Sequence, residues 1–253
     1  MTGGLAIVGL GPGPAHWITP EATAALAAAT DLIGYQPYLD RLPRHAGQRH
    51  HGSDNRVEIN RAHHALMLAV ERRQVAVVSS GDPGVFAMAA TVLEAVEHGD
   101  PAWRDLDITV IPGISAMLAA AARLGAPLGH DFCAISLSDN LKPWSMVERR
   151  LRAAAEADFV IALYNPASRA RPDQVHQAFT ALRQCRPSPT VVAFARAVGR
   201  VDERLIITTL DEADPATADM STLVLIGSTE THLIARPGRQ PWLLTPRSYG
   251  GAR

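Results

Sequence analysis

Residues 7–13, IVGLGPG, end an apolar run in glycines at positions 9, 11 and 13, the raw material of a nucleotide-binding turn. A dinucleotide fingerprint reads G-x-G-x-x-G where a strand meets a helix, so that backbone N–H groups at the helix start face a pyrophosphate. Gly9 and Gly11 fit, but position 14 is Pro14, and neither Pro12 nor Pro14 has an N–H to give. A helix start near Thr19 lies too far along to aim at a group held by the glycines. The acidic residue expected about 20 residues further on, closing a second strand, is also missing. Asp31 begins that strand and Asp40 lies beyond Pro37. A phosphate cradle, and with it a nicotinamide-dependent oxidoreductase, is disfavoured.

Two more apolar runs end in loops of the same kind, SSGDPGVF at 79–86 and PGISA at 112–116. Ligands of an open α/β sheet lie outside the carboxyl ends of its strands. Three Gly/Pro loops at one sheet edge therefore outline a cleft whose walls are backbone. Asp82 is the ionisable group among them, and a turn aspartate bonding its own backbone is the plain alternative to a ligand role. Metal chemistry finds no ligand set: His50 with His51, and His63 with His64, are adjacent pairs that cannot both face one ion from a helix or strand. Two cysteines, Cys133 and Cys185, make neither a disulfide framework nor an iron–sulfur site.

The elements that must carry these loops follow from periodicity. β-branched runs alternate with alanine-rich helical segments, the pattern of an α/β protein with a largely parallel sheet. Strands are predicted over 5–10, 31–35, 75–79 and 108–111, with helices over 20–28, 58–72, 86–97 and 115–124. The first helix has Thr19 as its cap, Pro20 at its first position and Glu21 in its first turn. The stretch GAPLGHDF at 125–132 breaks the pattern, which predicts domains over 1–127 and 128–240 and a mobile tail over 241–253, loosening from Pro237. The second half reads as strand 132–137, helix 144–157, strand 159–164, helix 172–184 and strands 191–194, 205–208 and 223–226. The last three lie too close together for helical crossovers throughout, so antiparallel pairs are expected there.

A chain of 253 residues with 47% hydrophobic and 19% charged residues is an ordered globular protein. Its net charge of −1 draws it toward neither nucleic acid nor anionic lipid. Among its 24 basic residues only Lys142 is lysine; the others are arginines, suited to bidentate capture of carboxylates. The start MTGGLAIVGLG has no basic n-region and no run of apolar residues is long enough to span a bilayer, so the expectation is a cytoplasmic protein.

In this order and at these separations, GLGPG, TPEA, GDPGVF and PGISA resemble the tetrapyrrole methylases, which transfer methyl groups from S-adenosylmethionine. The resemblance covers nearly the whole chain. Two further pieces, SLSDNLKPW at 136–144 and LYNPASRAR at 163–171, resemble the branch that methylates position 17 of a precorrin macrocycle and contracts its ring; Ala167 stands where that branch usually has a larger or basic residue. The resemblance implies two α/β domains of the class III methyltransferase fold with the cofactor cleft between them, in a homodimer. It also accounts for the prolines, because S-adenosylmethionine carries no phosphate, and a loop short of N–H donors still offers carbonyl oxygens to a cation or to the adenine amine.

Carried over position by position, the cofactor contacts fall on Pro12, Ser80, Gly81, Asp82, Val85, Ser115, Ala116 and Leu163. A macrocycle with many acetate and propionate groups calls for cations at the rim: Arg41, Lys142, Arg169, Arg171 and Arg196, with Asn165 as a hydrogen-bonding partner. Ring contraction, which removes a hydroxyl proton while a carbon–carbon bond migrates, benefits from a base, with Asp82, Asp139 and His130 as the candidates. The alternatives are the same reaction on a cobalt-containing macrocycle, another position or substrate within the family, and a binding module without catalysis.

Overall fold

The computed structural model describes residues 3–54, 57–168 and 170–249. The chain divides into two compact units, Met1–Ala116 and Met117–Arg253.

The first unit runs β1 (Gly4–Gly9), α1 (Pro20–Ala28), β2 (Asp31–Tyr35), α2 (Gln36–Leu39), β3 (Arg49–Ser53), α3 (Glu58–Val70), β4 (Gln74–Ser79), α4 (Met88–His98) and β5 (Asp107–Ile111). Its five strands lie in the order β3-β2-β4-β1-β5, all parallel. Both faces of such a sheet are covered by helices, and the strands show it residue by residue. Leu5, Ile7, Val75 and Val77 join α3 and α4 in one core cluster, while Val8, Leu10, Ala76 and Val78 join α1 on the opposite face. The expected cap is present: the Thr19 hydroxyl accepts from the Ala22 N–H at 3.1 Å, with Pro20 at the helix start.

β3 escapes the sequence because RHHGS carries no hydrophobic alternation; it is an edge strand held by its ladder to β2. α4 begins at Met88, two residues later than predicted, because Phe86 takes φ +52°, outside the right-handed helical region.

From the boundary at Ala116 onward come α5 (Ala116–Leu124), β6 (Gly125–Ala126), β7 (Phe132–Ser136), α6 (Trp144–Glu156), β8 (Val160–Tyr164), α7 (Gln174–Cys185), β9 (Val191–Arg196), β10 (Arg204–Thr209), β11 (Thr222–Ile226), β12 (His232–Ile234) and β13 (Trp242–Leu244). The main sheet is ordered β10-β9-β11-β8-β7. β7 and β8 are parallel and the other neighbours antiparallel, as the short connections require. One core joins β7, β8, β9 and β11 to α6 and α7 around Phe179, whose ring stacks on Phe194 at 5.9 Å between centroids.

The expectation of a mobile tail from Pro237 is overturned over its middle part. β13 pairs with both β6 and β12, Leu243 is buried, and the buried Thr245 hydroxyl donates to the Pro127 carbonyl at 2.6 Å. A Pro- and Gly-rich approach reads as loop although the three residues after it close a sheet.

Candidate active site

β4, β1 and β5 are neighbours in the first sheet, so the loops that leave their carboxyl ends meet. The meeting is backbone on backbone. Gly11 and Gly81 exchange both main-chain hydrogen bonds at 3.1 Å, each with positive φ, +64° and +68°. A Cβ on Gly9 would stand 2.7 Å from the Gly113 nitrogen and 2.8 Å from the Gly81 carbonyl oxygen. One on Gly113 would collide with that same oxygen. Glycine at 9 and 113 is a steric requirement of the cluster, whatever ligand it serves.

Asp82 ties the second loop to the third. Its Oδ1 accepts the Gly84 N–H at 2.8 Å, the turn bond foreseen for it, and its Oδ2 accepts the Gly113 N–H at 3.0 Å. Both oxygens thus serve backbone donors. Around it Pro12, Gly81 and Ser115 are buried, and Ser80, Val85 and Ala116 half-buried, so seven of the expected cofactor positions lie on these three loops in one unit.

Arg41 is also brought to this cluster. Its guanidinium donates to the carbonyl oxygens of Gly13 at 2.7 Å, Leu10 at 3.4 Å and Gly11 at 3.4 and 3.5 Å. Those carbonyls are turned toward the arginine.

In the second unit the carboxyl ends of β7 and β8 gather a polar group. Ser136 Oγ accepts from Asn165 Nδ2 at 2.9 Å, and Asn165 takes φ +53°, a conformation asparagine tolerates better than most residues. Asp139 Oδ2 accepts from Gln174 Nε2 at 3.0 Å and its Oδ1 lies 4.0 Å from Arg171. Arg171 also reaches the Leu137 carbonyl at 3.5 Å, and Lys142 Nζ donates to the Ser138 carbonyl at 3.0 Å. Burial pushes the Lys142 ammonium below its ordinary value, Arg150 and Arg171 adding to the effect and Asp139 opposing it. Lys142, Asn165, Arg171 and Asp139 are therefore assembled. Leu163, in β8, is fully buried. Arg169 lies outside the described residues.

Two candidates stand apart. Arg196, at the end of β9, is bound by Asp202 at 2.7 Å and Asp219 at 2.9 Å, which raises its already high pKa through those two hydrogen bonds. His130 precedes β7 and so sits at the opposite end of that strand from Asp139; its Nδ1 accepts the Asp131 N–H at 2.7 Å and its ring packs on Tyr249 at 5.0 Å. Sequence reading missed Ser136, Gln174 and Tyr164. The Tyr164 hydroxyl accepts the Met117 N–H at 3.1 Å in the first turn of α5. Tyr164 and Ser136 lie inside the quoted motifs, but nothing in their spacing marks these partners.

Among the described residues no group of three or more His, Cys, Asp or Glu is placed to hold a metal ion, and no helix is long and apolar enough to cross a membrane.

Comparison with known proteins adds to this geometry. The family model of the tetrapyrrole (corrin/porphyrin) methylases matches residues 4–214. A precorrin-3B C(17)-methyltransferase of a Sinorhizobium species is 56% identical over 252 residues, covering 100% of this chain and 99% of that protein. A probable cobalt-factor III C(17)-methyltransferase of Salmonella typhimurium is 40% identical, covering 97% of this chain and 99% of its own. The crystal structure of the methyltransferase CobJ superposes with a TM-score of 0.91 at 51% identity, covering 96% of this chain and 100% of that one.

Proposed function

Because the chain belongs to the tetrapyrrole (corrin/porphyrin) methylase family, we propose that it methylates position 17 of precorrin-3B, with S-adenosylmethionine as donor and contraction of the macrocycle to precorrin-4. The observation that carries this reading is the full-length likeness to a precorrin-3B C(17)-methyltransferase.

The donor set of the glycine cluster fits a ligand without phosphate. Pro12, Pro14, Pro83 and Pro112 contribute no N–H, and the arginine at the cluster, Arg41, is turned to loop carbonyls. Bound there, S-adenosylmethionine supplies an electrophilic methyl on a sulfonium sulfur. The residues proposed to hold it are Pro12, Ser80, Gly81, Asp82, Val85, Ser115 and Ala116.

The chain's own contribution to methyl transfer is positioning. A rigid backbone cradle orders one partner of a displacement, and orientation of this kind lowers a barrier by about 7–11 kcal/mol in well-aligned cases. Lys142, Arg171 and Asn165, with Arg169, are the proposed holders of the macrocycle's carboxylates. For ring contraction the substrate hydroxyl must lose its proton as the carbon–carbon bond migrates. The carboxylate proposed to take it is Asp139, which accepts from Gln174 Nε2 at 3.0 Å and lies 4.0 Å from Arg171. The enzyme is read as a cytoplasmic homodimer.

The test is turnover. With precorrin-3B and S-adenosylmethionine the product gains one methyl group by mass and its absorption spectrum shifts as the ring contracts; an unchanged macrocycle refutes the reading. The Salmonella relative favours a second reading, the same reaction on a cobalt-containing macrocycle. Offering both substrates side by side separates the two.

A further inference from the structure

We propose that Arg41 is a positioning residue for the methyl donor, a guanidinium that sets the curve of the Leu10–Gly13 backbone, and that it is not a holder of substrate carboxylate. This assignment rests on the reading that the glycine loops hold S-adenosylmethionine.

The loop has few internal ties. Pro12 and Pro14 remove two main-chain donors. On its inner side Leu10 N–H donates to the Ser79 carbonyl at 2.9 Å and Gly11 pairs with Gly81. On the Arg41 side, carbonyls of Leu10, Gly11 and Gly13 converge on a single guanidinium, the Gly13 bond at 2.7 Å being the short one. Three acceptors from four consecutive residues face one cation only if the backbone is curled around it. One Nη2 reaches all three carbonyls, and Nη1 adds a second contact to Gly11.

The root of Arg41 is fixed as firmly as its head. It follows α2, whose Leu39 is almost fully buried, and its own N–H donates to the Tyr38 carbonyl at 3.3 Å. Asp40, beside it, accepts from Gln36 Nε2 at 2.7 Å, across one turn of α2. The arginine is thus anchored to the first unit's fold at one end and to the donor loop at the other. Its charge is spent on carbonyl dipoles beside a ligand that is itself cationic at sulfur. Removing it would take the guanidinium from the Leu10 and Gly13 carbonyls and leave the Gly11 carbonyl with only its bond from Gly81, so the loop would be free to sample other curves and donor binding would carry the ordering cost.

Calorimetry with S-adenosylhomocysteine on wild type, R41M and R41Q tests this, with steady-state kinetics on both substrates. Expected are a Kd raised about tenfold in both variants, the scale of one charge-assisted hydrogen bond, and a KM for S-adenosylmethionine raised alike. The KM for the macrocycle should stay unchanged. In R41A, added methylguanidine should restore part of the lost affinity, which a role in folding alone would not allow. Unchanged S-adenosylhomocysteine affinity in a folded variant overturns the assignment, and so does a loss confined to the macrocycle KM, which would return Arg41 to substrate carboxylates. Wild-type protein that fails to bind S-adenosylhomocysteine at all overturns the donor reading, and the role of Arg41 with it.

Discussion

Asp82→Asn separates two roles for the one carboxylate in the glycine cluster. In the structure each of its oxygens accepts a backbone N–H, from Gly84 at 2.8 Å and Gly113 at 3.0 Å. Asparagine keeps one acceptor and puts an NH2 group in place of the other, so one of those donors ends up facing another donor. A hydrogen bond to a charged acceptor contributes about 1.5–3 kcal/mol, and this one is part-exposed, so the loss should fall near 1–2 kcal/mol. For a protein of this size that is about 3–6 °C in Tm, read by scanning calorimetry. More telling is which step fails. A clasp between two cofactor loops predicts a raised Kd for S-adenosylhomocysteine, with methylation and ring contraction slowed together. A base for ring contraction predicts unchanged cofactor binding and a methylated, uncontracted product. Accumulation of that product by D82N, at wild-type cofactor affinity, would refute the clasp.

Gly9→Ala should abolish cofactor binding and destabilise the first unit by about 1–3 kcal/mol or more, because its Cβ meets backbone on every side and no flexible side chain can yield; urea melts with normal midpoint would contradict this. Arg196→Met should lower thermal stability by freeing Asp202 and Asp219 while leaving the macrocycle KM unchanged, and a KM effect without a stability effect would show that Arg196 is available to substrate after all. Burial alone would raise the Asp31 carboxyl, but hydrogen bonds from His51 and Thr30 and the charges of Arg49 and Arg73 hold it below the ordinary value. Its contribution is therefore present above the unfolded carboxylate pKa of about 4 and lost as pH falls through the lower folded value. Urea midpoints measured from pH 6 down to pH 2 should fall more steeply for wild type than for Asp31→Asn, and parallel slopes would rule the contribution out.

Features written in local chemistry were legible: Thr19 at its cap, the parallel strands that end in glycine loops, and the antiparallel pairs among β9, β10 and β11. The three-loop cluster was legible because strand ends and Gly/Pro loops coincide in the sequence. Partnerships across distance were not. Arg41 meets carbonyls 28 to 31 residues away. Nothing in its surroundings distinguishes a guanidinium turned to its own backbone from one awaiting a carboxylate. Arg196 and His130 carried the right side-chain chemistry, yet one is taken by two aspartates and the other lies at the wrong end of β7. β3 and β13 are held by their neighbours' ladders, information that a polar pentapeptide or a proline-flanked tripeptide does not contain.

The pairing of β13 with β6 has a temporal side. The first sheet draws only on residues 4–111, so it can be assembled while the remainder of the chain is still being made. The small sheet cannot. Thr245 and the Pro127 carbonyl it binds are 118 residues apart, which at about 5–20 residues per second is about 6–24 s of synthesis. For that interval β6 is an open strand edge on a nascent chain, exposed to any other strand that finds it first.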